Sequence, residues 1–316
     1  MERLSGTRIA SVLILAVVAA ALAWVVSPAA LPGVTRIVVL AGAVMSLNLL
    51  IGNLGLISMG HGLFIGAGAY IVAVANVKYG VPVGQGALLA IGGAVLLAIV
   101  TGFMVLRARA LFFALLTLAF SQVAFVFVAR DYSLTGGDDG LVGIDIPAWL
   151  DGDVQKHLLA VATTTLVCLL ILIMLASPFG ATLRAIRDNR DRVASLGANP
   201  TFHEFVGYII ASALGAMVGV TAAVTREAVE PGVFSWVTGA TLLVMVALGG
   251  RSAFFGPIVG LAILELTRSW VQSFSEHGDL AIGALVILCA LLFPEGVAPW
   301  ANDVFAAHRA RKREAG

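Results

Sequence analysis

Long runs of apolar residues, separated by short polar stretches, dominate this sequence. The runs lie at 9–30, 37–57, 63–77, 83–106, 110–129, 157–176, 203–225, 235–250, 255–275 and 280–296. A membrane-spanning helix needs about 20 mostly apolar residues. Only 12% of the 316 residues are charged, whereas soluble domains have about 25%. A transmembrane barrel would alternate apolar and polar residues over ~10-residue segments. The sequence therefore predicts an all-α integral membrane protein, a polytopic helical bundle.

The lengths of the apolar runs set the expected number of spans. The runs 63–77 and 235–250 are short for a full crossing, so either is a candidate for a broken or re-entrant helix. We expect 8–10 transmembrane helices in a single transmembrane domain that covers residues 1–316. The first run, 9–26, has about 18 residues, which is longer than the ~7–15 residues of a signal-peptide core. We therefore expect an uncleaved first span.

Basic residues are grouped in the stretches between apolar runs. The groups are Arg3 and Arg8, Arg107 and Arg109, the arginines of 184–192, and Arg309, Arg311, Lys312 and Arg313. Alternating ten spans places all of them on one side, which the positive-inside rule makes cytoplasmic. The aspartate-rich loop 130–156 then falls on the external side. We expect both termini, the loop 177–202 and the basic tail 305–316 to be cytoplasmic.

Glycine is concentrated in the segment LNLLIGNLGLISMGHGLFIGAGAY, residues 47–70. Glycine costs about 1 kcal/mol relative to alanine inside a helix, so a plain lipid-facing helix would not contain so many. The segment is either a broken helix that lines a path through the membrane, or closely packed helices with a cytoplasmic turn at Ser58–His61. On the first interpretation the path residues are Asn48, Asn53, Gly55, Ser58 and Gly66. A second glycine-rich stretch at 249–260 weakly indicates an internal repeat.

The segment 177–202 is a charged island between two apolar runs. Pro178 and Gly180 precede good helix formers, and Gly197 and Pro200 stop them, which predicts one helix from Ala181 to Leu196. Its apolar stripe would consist of Leu183, Ile186, Val193 and Leu196. Its charged residues are Arg184, Arg187, Asp188, Arg190, Asp191 and Arg192. Such a helix can lie on a membrane surface, fit a groove in another protein, or present a solvated face.

Motifs of catalysis and cofactor binding are absent from the sequence. None of Lys78, Lys156 and Lys312 follows glycine, so there is no P-loop for ATP hydrolysis. The loop TGGDDG at 135–140 lacks the twelve-residue calcium pattern, and is either a partner contact or a solvated turn. Cys168 and Cys289 lie in apolar runs, so we expect free thiols without a metal or disulfide role.

Ionisable residues within the apolar runs are scarce. Glu265 is the clearest, with Arg268 three residues later as a possible partner. Ion-coupled carriers usually keep such residues for proton or sodium coupling. His61 could titrate near neutrality, but a role as a ligand or in a proton relay is less expected than a place in a turn.

Several blocks of the sequence together resemble the branched-chain amino acid permease family of bacterial ABC importers, specifically the LivM-type subunit. The blocks are residues 47–70, RALFFALLTLAFSQ (109–122), TGGDDGL (135–141), SPFGATLRAIRDNRDRVASLGANP (177–200), LVMVALGGRSAFFGPIVG (243–260) and LLFPEGV (291–297). The resemblance covers residues 36–297. Arg251 and Gly62 depart from the pattern of the family, and both leave the local geometry open.

The resemblance implies a subunit of a larger machine. The expected partners are a second homologous permease subunit in a heterodimer, two cytoplasmic ABC ATPase subunits and a periplasmic or extracellular solute-binding protein. The residues implied in coupling to the ATPase are Arg184, Arg187, Asp188, Asp191, Ala194 and Gly197. Those implied in contact with the binding protein are Thr135, Gly136, Gly137, Asp138 and Asp139. No cofactor is expected on this chain, because ATP-Mg would bind to the partner subunits.

The implied function is that of a non-enzymatic, multi-pass permease subunit in the inner (plasma) membrane of a bacterium, in contact with lipid but not with nucleic acid. Its expected substrates are branched-chain or other small amino acids. Urea and short-chain amides are alternative substrates. An ion-coupled secondary transporter is the alternative mechanism, and it would need no partner ATPase.

Overall fold

α-Helices form most of this computed structural model, which describes residues 6–108, 111–272, 283 and 296–300. The helices are α1 (Gly6–Val25), α2 (Leu31–Asn48), α3 (Gly62–Tyr79), α4 (Val83–Val105), α5 (Leu111–Arg130), α6 (Asp153–Ala176), α7 (Pro178–Asp188), α8 (Arg190–Ser195), α9 (Pro200–Arg226), α10 (Trp236–Gly249) and α11 (Gly256–Gln272). A π-helical segment, Leu49–Leu54, continues α2. Short 3₁₀ turns are Gly137–Asp139, Ala148–Leu150 and Pro231–Phe234.

The described helices confirm a polytopic helical membrane protein. Seven are long and apolar enough to cross a membrane, namely α1, α2 with its π-helical continuation, α3, α4, α5, α6 and α9. The run 63–77, expected to be short, belongs to the 18-residue α3. α10 and α11 have 14 and 17 residues. The span expected at 280–296 lies almost entirely outside the described residues, and the orientation of the termini stays a prediction.

The contact between α3 and α9 is the centre of the first 240 residues. α3 packs on α4 and α9, α2 packs on α6 and α9, and α1 packs mainly on α6. Gly68 lies against the backbone of Ala216, and Gly219 lies against the carbonyl of Ile65, so closely that a Cβ atom would overlap. Small residues of this kind let two backbones touch where the membrane supplies no hydrophobic driving force.

Two connecting segments pack on the helices at opposite ends of α6. Residues 131–152, which join α5 to α6, contain a strand β1 (Leu141–Val142), which pairs antiparallel with β2 (Ala228–Val229) after α9. At the same end, the Asn76 amide of α3 donates to the Asp145 carbonyl at 3.1 Å and accepts from its N–H at 2.7 Å. At the other end of α6, the chain turns at Ser177 into α7 and α8.

The chain divides into two compact units, Met1–Ala240 and Thr241–Gly316. In the described part of the second unit, Gly249 and Gly260 bring the backbones of α10 and α11 into contact around Gly256. Gly250 separates the two helices with a left-handed backbone, φ 96°. The single domain and the internal repeat that involves residues 249–260 stay predictions.

Candidate translocation site

The helical backbone is interrupted between α2 and α3. The π-helical segment ends at Gly55, whose φ of 74° is left-handed, and the Leu56 N–H closes the end by donating to the Leu50 carbonyl at 2.9 Å. α3 begins at Gly62. We call residues 55–61 the break. Their sequence has two glycines and a serine, which weaken helix formation.

Ser58, Gly60 and His61 of the break are buried within the first unit, whereas Gly55 and Ile57 are exposed. Ser58 and His61 are 1% and 0% exposed, rather than part of an exposed turn. Gly60 lies against the carbonyl of Thr117 in α5, and Gly239 at the start of α10 lies against the Met59 carbonyl. A Cβ atom at either glycine would overlap these backbones. The break is therefore held by direct backbone contacts with α5 and α10.

A second non-helical stretch reaches the same part of the bundle. The 3₁₀ turn that ends at Phe234 follows β2, and the Ser121 hydroxyl of α5 donates to the Phe234 carbonyl at 2.7 Å. The ring of Phe234 lies against Gly66 of α3, where a Cβ atom would be 2.5 Å from the ring. The glycines of α3 thus make room for this turn.

Only one of the two ring nitrogens of His61 has a hydrogen-bond partner in the described residues. Its Nε2 lies 2.8 Å from the Oγ of Ser46 in α2, and the Ser46 hydroxyl lies 2.8 Å from the Ala43 carbonyl. Gly215 of α9 faces the ring, and Phe64 contacts it edge-on, with 6.1 Å between the ring centroids. The Nδ1 of His61 is buried and forms no hydrogen bond within the described residues.

Three more buried polar groups near the break in sequence share this property. In the part of the chain that the structure describes, Asn48 Oδ1, Ser58 Oγ and Tyr70 OH are buried without a hydrogen-bond partner. Buried polar groups are almost always hydrogen-bonded, and an unpaired one costs roughly 1–3 kcal/mol. All of these atoms belong to residues 48–70, which contain the break, and each departs from the usual pairing of buried polar groups.

The other predicted path residues lie at the two ends of the break. Asn53 is half-buried, and its amide is 3.4 Å from the Asn48 carbonyl. Gly55 is exposed and lies against the side chain of Arg187. Gly66 is buried against Phe234. The lining of a translocation path by these residues stays a prediction, and the structure adds Ser46, which contacts His61, to the polar residues of the region.

A groove between α3 and α5 is apolar, in contrast to the polar residues of the break. It has a volume of about 590 Å³ and is lined by Leu63, Ala67, Ile71, Phe120, Val123 and Phe127 among others. The surface of this lining is wholly apolar. A charged or zwitterionic solute would lose its hydration there without compensation, so the groove is a poor path for such a solute.

The charged segment forms two helices, and the predicted single helix from Ala181 to Leu196 is wrong. Asn189 is extended, with φ −160° and ψ 99°, and separates α7 from α8. Its Oδ1 accepts the Arg192 N–H at 2.9 Å, which caps α8. We call residues 177–199 the arm. Leu183, Ile186 and Val193 are buried as predicted, but Leu196 is 81% exposed and does not belong to the apolar stripe.

The arginines of the arm bind to the rest of the chain. Arg187 Nη1 donates to the Gly52 carbonyl at 2.6 Å, in the π-helical segment just before the break. Arg190 Nε lies 3.0 Å from Glu204 Oε1 at the start of α9, and its Nη2 donates to Thr201 at 2.7 Å. Arg184 Nη1 donates to the Leu175 carbonyl at 2.9 Å. The arm is therefore attached to α6, α9 and the end of α2.

The residues implied in coupling divide into two groups. Arg184 and Arg187 hold the arm in place, and Asp188 accepts from Arg187 at 2.9 Å. Asp191 and Ala194 are exposed, as is Gly197, which ends α8 with a left-handed φ of 89°. The exposed group is available to a partner, and a role in coupling stays a prediction for all six residues.

The loop implied in contact with a binding protein is a rigid turn. Gly136 and Gly137 have φ of 80° and 62°, and the Thr135 hydroxyl donates to the Val128 carbonyl at 2.6 Å. Thr135 and Gly137 are buried, whereas Asp138 and Asp139 are exposed. Hydrogen bonds from the Ser133 hydroxyl and from the backbone hold the pKa of the Asp131 carboxyl below its usual value. A contact at this loop stays a prediction.

Metal-ligating residues are not clustered in the described part of the chain. No group of three or more His, Cys, Asp or Glu side chains is placed there to hold a metal ion. Cys168 is a free thiol buried in α6, and Cys289 lies outside the described residues. Glu265 is buried in α11.

Seven long apolar helices in the described part of the chain define a multi-pass membrane protein. Residues 29–293 match the model of the family described as branched-chain amino acid transport system / permease component, and the chain belongs to this family. The resemblance noted in the sequence is thereby confirmed.

The chain is similar to two proteins named high-affinity branched-chain amino acid transport system permease protein LivM, from Salmonella typhimurium LT2 and Escherichia coli K12. Each is 27% identical over 294 residues, which cover 84% of this chain and 68% of the relative. A probable LivM permease of Methanocaldococcus jannaschii is 24% identical over 202 residues, which cover 60% of this chain and 59% of the relative. No solved structure matches the chain.

Proposed function

We propose that the chain is one of two membrane-spanning subunits of an ATP-driven importer of branched-chain amino acids in the inner membrane of a bacterium. Membership of the permease family and the names of the relatives support the class of substrate. The chain lacks a P-loop, so ATP hydrolysis takes place on two separate ATPase subunits. A second homologous permease subunit and an external solute-binding protein complete the importer.

The proposed coupling of ATP hydrolysis to transport rests on the contact between Arg187 and the Gly52 carbonyl. The arm lies on the cytoplasmic side, where the ATPase binds its exposed surface, including Leu196. Closure of the ATPase dimer on ATP moves the arm, and Arg187 transmits this movement to the π-helical segment and the break. Packed interiors adopt a few discrete arrangements rather than a continuous range. A small displacement of the arm therefore switches the break from being open to one side of the membrane to being open to the other.

The first test is ATP-dependent uptake by the reconstituted importer. The chain is co-expressed with the candidate permease and ATPase subunits, purified as a complex and placed in proteoliposomes with ATP inside and the binding protein outside. We expect uptake of radiolabelled L-leucine that requires ATP and persists with proton and sodium ionophores. Uptake without ATP that collapses with an ionophore would instead establish a secondary carrier.

The same proteoliposomes decide between classes of substrate. We expect L-leucine, L-isoleucine and L-valine to compete for uptake, and urea and isobutyramide not to compete. Competition by the amides alone would replace the amino-acid assignment with the short-amide one, while leaving the ATP-driven mechanism in place.

A further inference from the structure

The groove between α3 and α5 follows two membrane-spanning helices. Its lining includes one face of α3, from Leu63 to Tyr79, and one face of α5, from Phe120 to Val128. Leu63 and Tyr79 are sixteen positions apart in the chain, which corresponds to about 24 Å along a helix. Half of the hydrocarbon core of a bilayer is about 15 Å thick. The groove is therefore long enough to follow one leaflet of the membrane.

The lining of the groove is apolar and partly exposed. Val123 and Phe127 of α5 are 68% and 61% exposed, and Tyr79 at the end of α3 is 71% exposed. Ligand pockets have volumes of about 300–1,000 Å³, and the volume of the groove, about 590 Å³, falls within this range. Because the described lining exposes no polar atom to the groove, a hydrocarbon chain fits it better than a polar solute does.

The two helices that form the groove end in basic residues close to each other. Lys78 lies in the last turn of α3, and Arg130 ends α5. Both side chains are exposed. The pKa of the Asp131 carboxyl is lowered mainly by hydrogen bonds with Ser133 and Leu134, and also by the positive charge of Lys78. Lys78 is therefore near the end of α5, and the two cations flank the same end of the groove.

This end of the groove has the composition of a site for a lipid headgroup. Tyrosine is enriched at the boundary between membrane and water, and Tyr79 and Tyr132 are exposed here. On the predicted topology this end is external, where Lys and Arg are less common than on the cytoplasmic side. The guanidinium of Arg130 has no hydrogen bond or ion pair within the described residues. Arginine binds phosphate through charge-assisted hydrogen bonds, and these are about twice as strong as neutral ones.

We infer that the groove binds one acyl chain of a membrane phospholipid, with the phosphate of that lipid on Arg130 and Lys78. The apolar lining takes the chain, and the cations at the ends of α3 and α5 take the headgroup. Lipid that merely covers an exposed helix would respond to neither feature. A lipid affinity that depends on both the groove and the two cations therefore distinguishes a site from the bulk bilayer. The inference goes beyond the proposed function and does not depend on it.

The first test measures the affinity of the headgroup site. The chain is purified from membranes with the subunits that accompany it, delipidated in detergent and titrated with phosphatidylglycerol, and native mass spectrometry resolves each bound lipid. We expect one lipid to bind more tightly than the others. Arg130→Gln combined with Lys78→Gln should weaken this binding by about tenfold or more, because each basic residue near a membrane surface contributes about fivefold.

Arg107→Gln is the control for the loss of positive charge. Arg107 is an exposed basic residue that follows α4 and does not belong to the lining of the groove. We expect its substitution to leave the tightest lipid within about twofold of the wild-type affinity. Equal weakening by Arg107→Gln and by the double variant would show a general effect of charge and overturn the headgroup site.

A second pair of variants tests the position of the acyl chain. Ala124→Phe places a ring in the groove, whereas Val126→Phe adds the same ring to an exposed position of α5 outside the lining. We expect Ala124→Phe to weaken the tightest lipid by about tenfold or more, because several methylene groups lose their contacts, and Val126→Phe to leave it unchanged. The melting temperature of each complex shows that the variant is folded. Wild-type affinity in folded Ala124→Phe, or equal loss in both variants, would overturn the site.

Photo-crosslinking decides between a lipid and a protein in the groove. Val123 is replaced by the photoreactive residue p-benzoylphenylalanine, and the protein is irradiated in native membranes. We expect a phospholipid adduct on the chain, which is lost when Ala124→Phe is also present. A crosslink to another subunit or to a second copy of this chain would overturn the lipid assignment and identify the groove as a subunit interface. Failure of ATP-dependent leucine uptake would refute the proposed function and leave the outcome of these lipid experiments unchanged.

Discussion

Two interruptions of helical backbone in the first unit, one at Asn189 and one at the break, have opposite surroundings. At Asn189 the residue is exposed, and its own side chain caps the following helix. At the break, the backbone is fixed by glycine contacts, while His61 Nδ1 and Ser58 Oγ are buried without hydrogen bonds within the described residues. An interruption at a surface can be satisfied locally and by water. In a buried interruption, by contrast, groups without a hydrogen bond are rare and each needs an explanation.

The difference predicts that the break tolerates change far less than the arm. The largest effect is expected from Gly60→Ala, because the added Cβ would overlap the backbone of Thr117 in α5. Backbone atoms cannot move aside as the end of a flexible side chain can. We expect a loss of about 3 kcal/mol or more in the free energy of unfolding. The measurement is thermal or denaturant-induced unfolding of the purified protein in detergent.

Gly92→Ala is the matched control for that substitution. Gly92 lies in α4 with open space around it, and alanine is favoured over glycine in a helix by about 1 kcal/mol. We expect unchanged or slightly higher stability. Equal losses at both positions would show that the break is no more tightly packed than an ordinary helix.

The next effect in size concerns the anchor of the arm on α9. The side chain of Glu204 is 3% exposed, and Arg190 neutralises it. Arg190→Ala leaves this carboxylate without its guanidinium, and we expect about 2 kcal/mol of destabilisation. Arg190→Ala combined with Glu204→Gln should recover part of the loss, because the buried charge is then absent. A double-mutant cycle in the unfolding assay measures this, and purely additive losses would contradict the ion pair.

A smaller effect on stability, but a larger one on transport, is expected from Arg187→Gln. The variant loses the charged donor to the Gly52 carbonyl, which we expect to cost about 1 kcal/mol. It also loses the link between arm and break, so ATP hydrolysis should continue while uptake falls by about tenfold. Arg192→Gln, at an exposed position of the same arm, is the control. Parallel losses of hydrolysis and uptake in Arg187→Gln would argue against transmission through this contact.

The smallest effect is expected at Asn189. Asn189→Ala removes the cap of α8, for which about 1 kcal/mol is typical, and less at an exposed site. We expect that uptake stays near that of the wild type and that hydrogen exchange accelerates only in residues 190–195. Loss of uptake equal to that of Arg187→Gln would show that the orientation of α8 itself is required for coupling.

The sequence was sufficient for most of the long helices and insufficient for the interruption at Asn189 and for the contacts between helices. Apolar runs and boundary residues such as Pro178 and Pro200 predicted the spans and the arm. The interruption at Asn189 was missed because the surrounding residues are good helix formers, although asparagine is one of the residues preferred at a helix N-cap. Asn48 and Ser58 stood out as polar residues among glycines.

The partner of His61 was beyond the reach of the sequence. Ser46 lies fifteen positions earlier in an apolar run, where a lone serine usually bonds its own helix, and here it also bonds the ring. Leu196 was assigned to an apolar stripe because an uninterrupted helix was assumed. Long-range packing decides the position of Ser46, whereas the local interruption at Asn189 decides that of Leu196.

The backbone contacts of Gly68 and Gly219 constrain the mechanics of the molecule. With no side chain between the two backbones, α3 and α9 have nothing to repack if one slides past the other. We therefore expect α3 and α9 to move together, with the joints of a transport cycle at the ends of that pair. The break lies at one end of α3, and the anchor of Glu204 lies near the start of α9, so both joints contact the arm or its neighbouring segment.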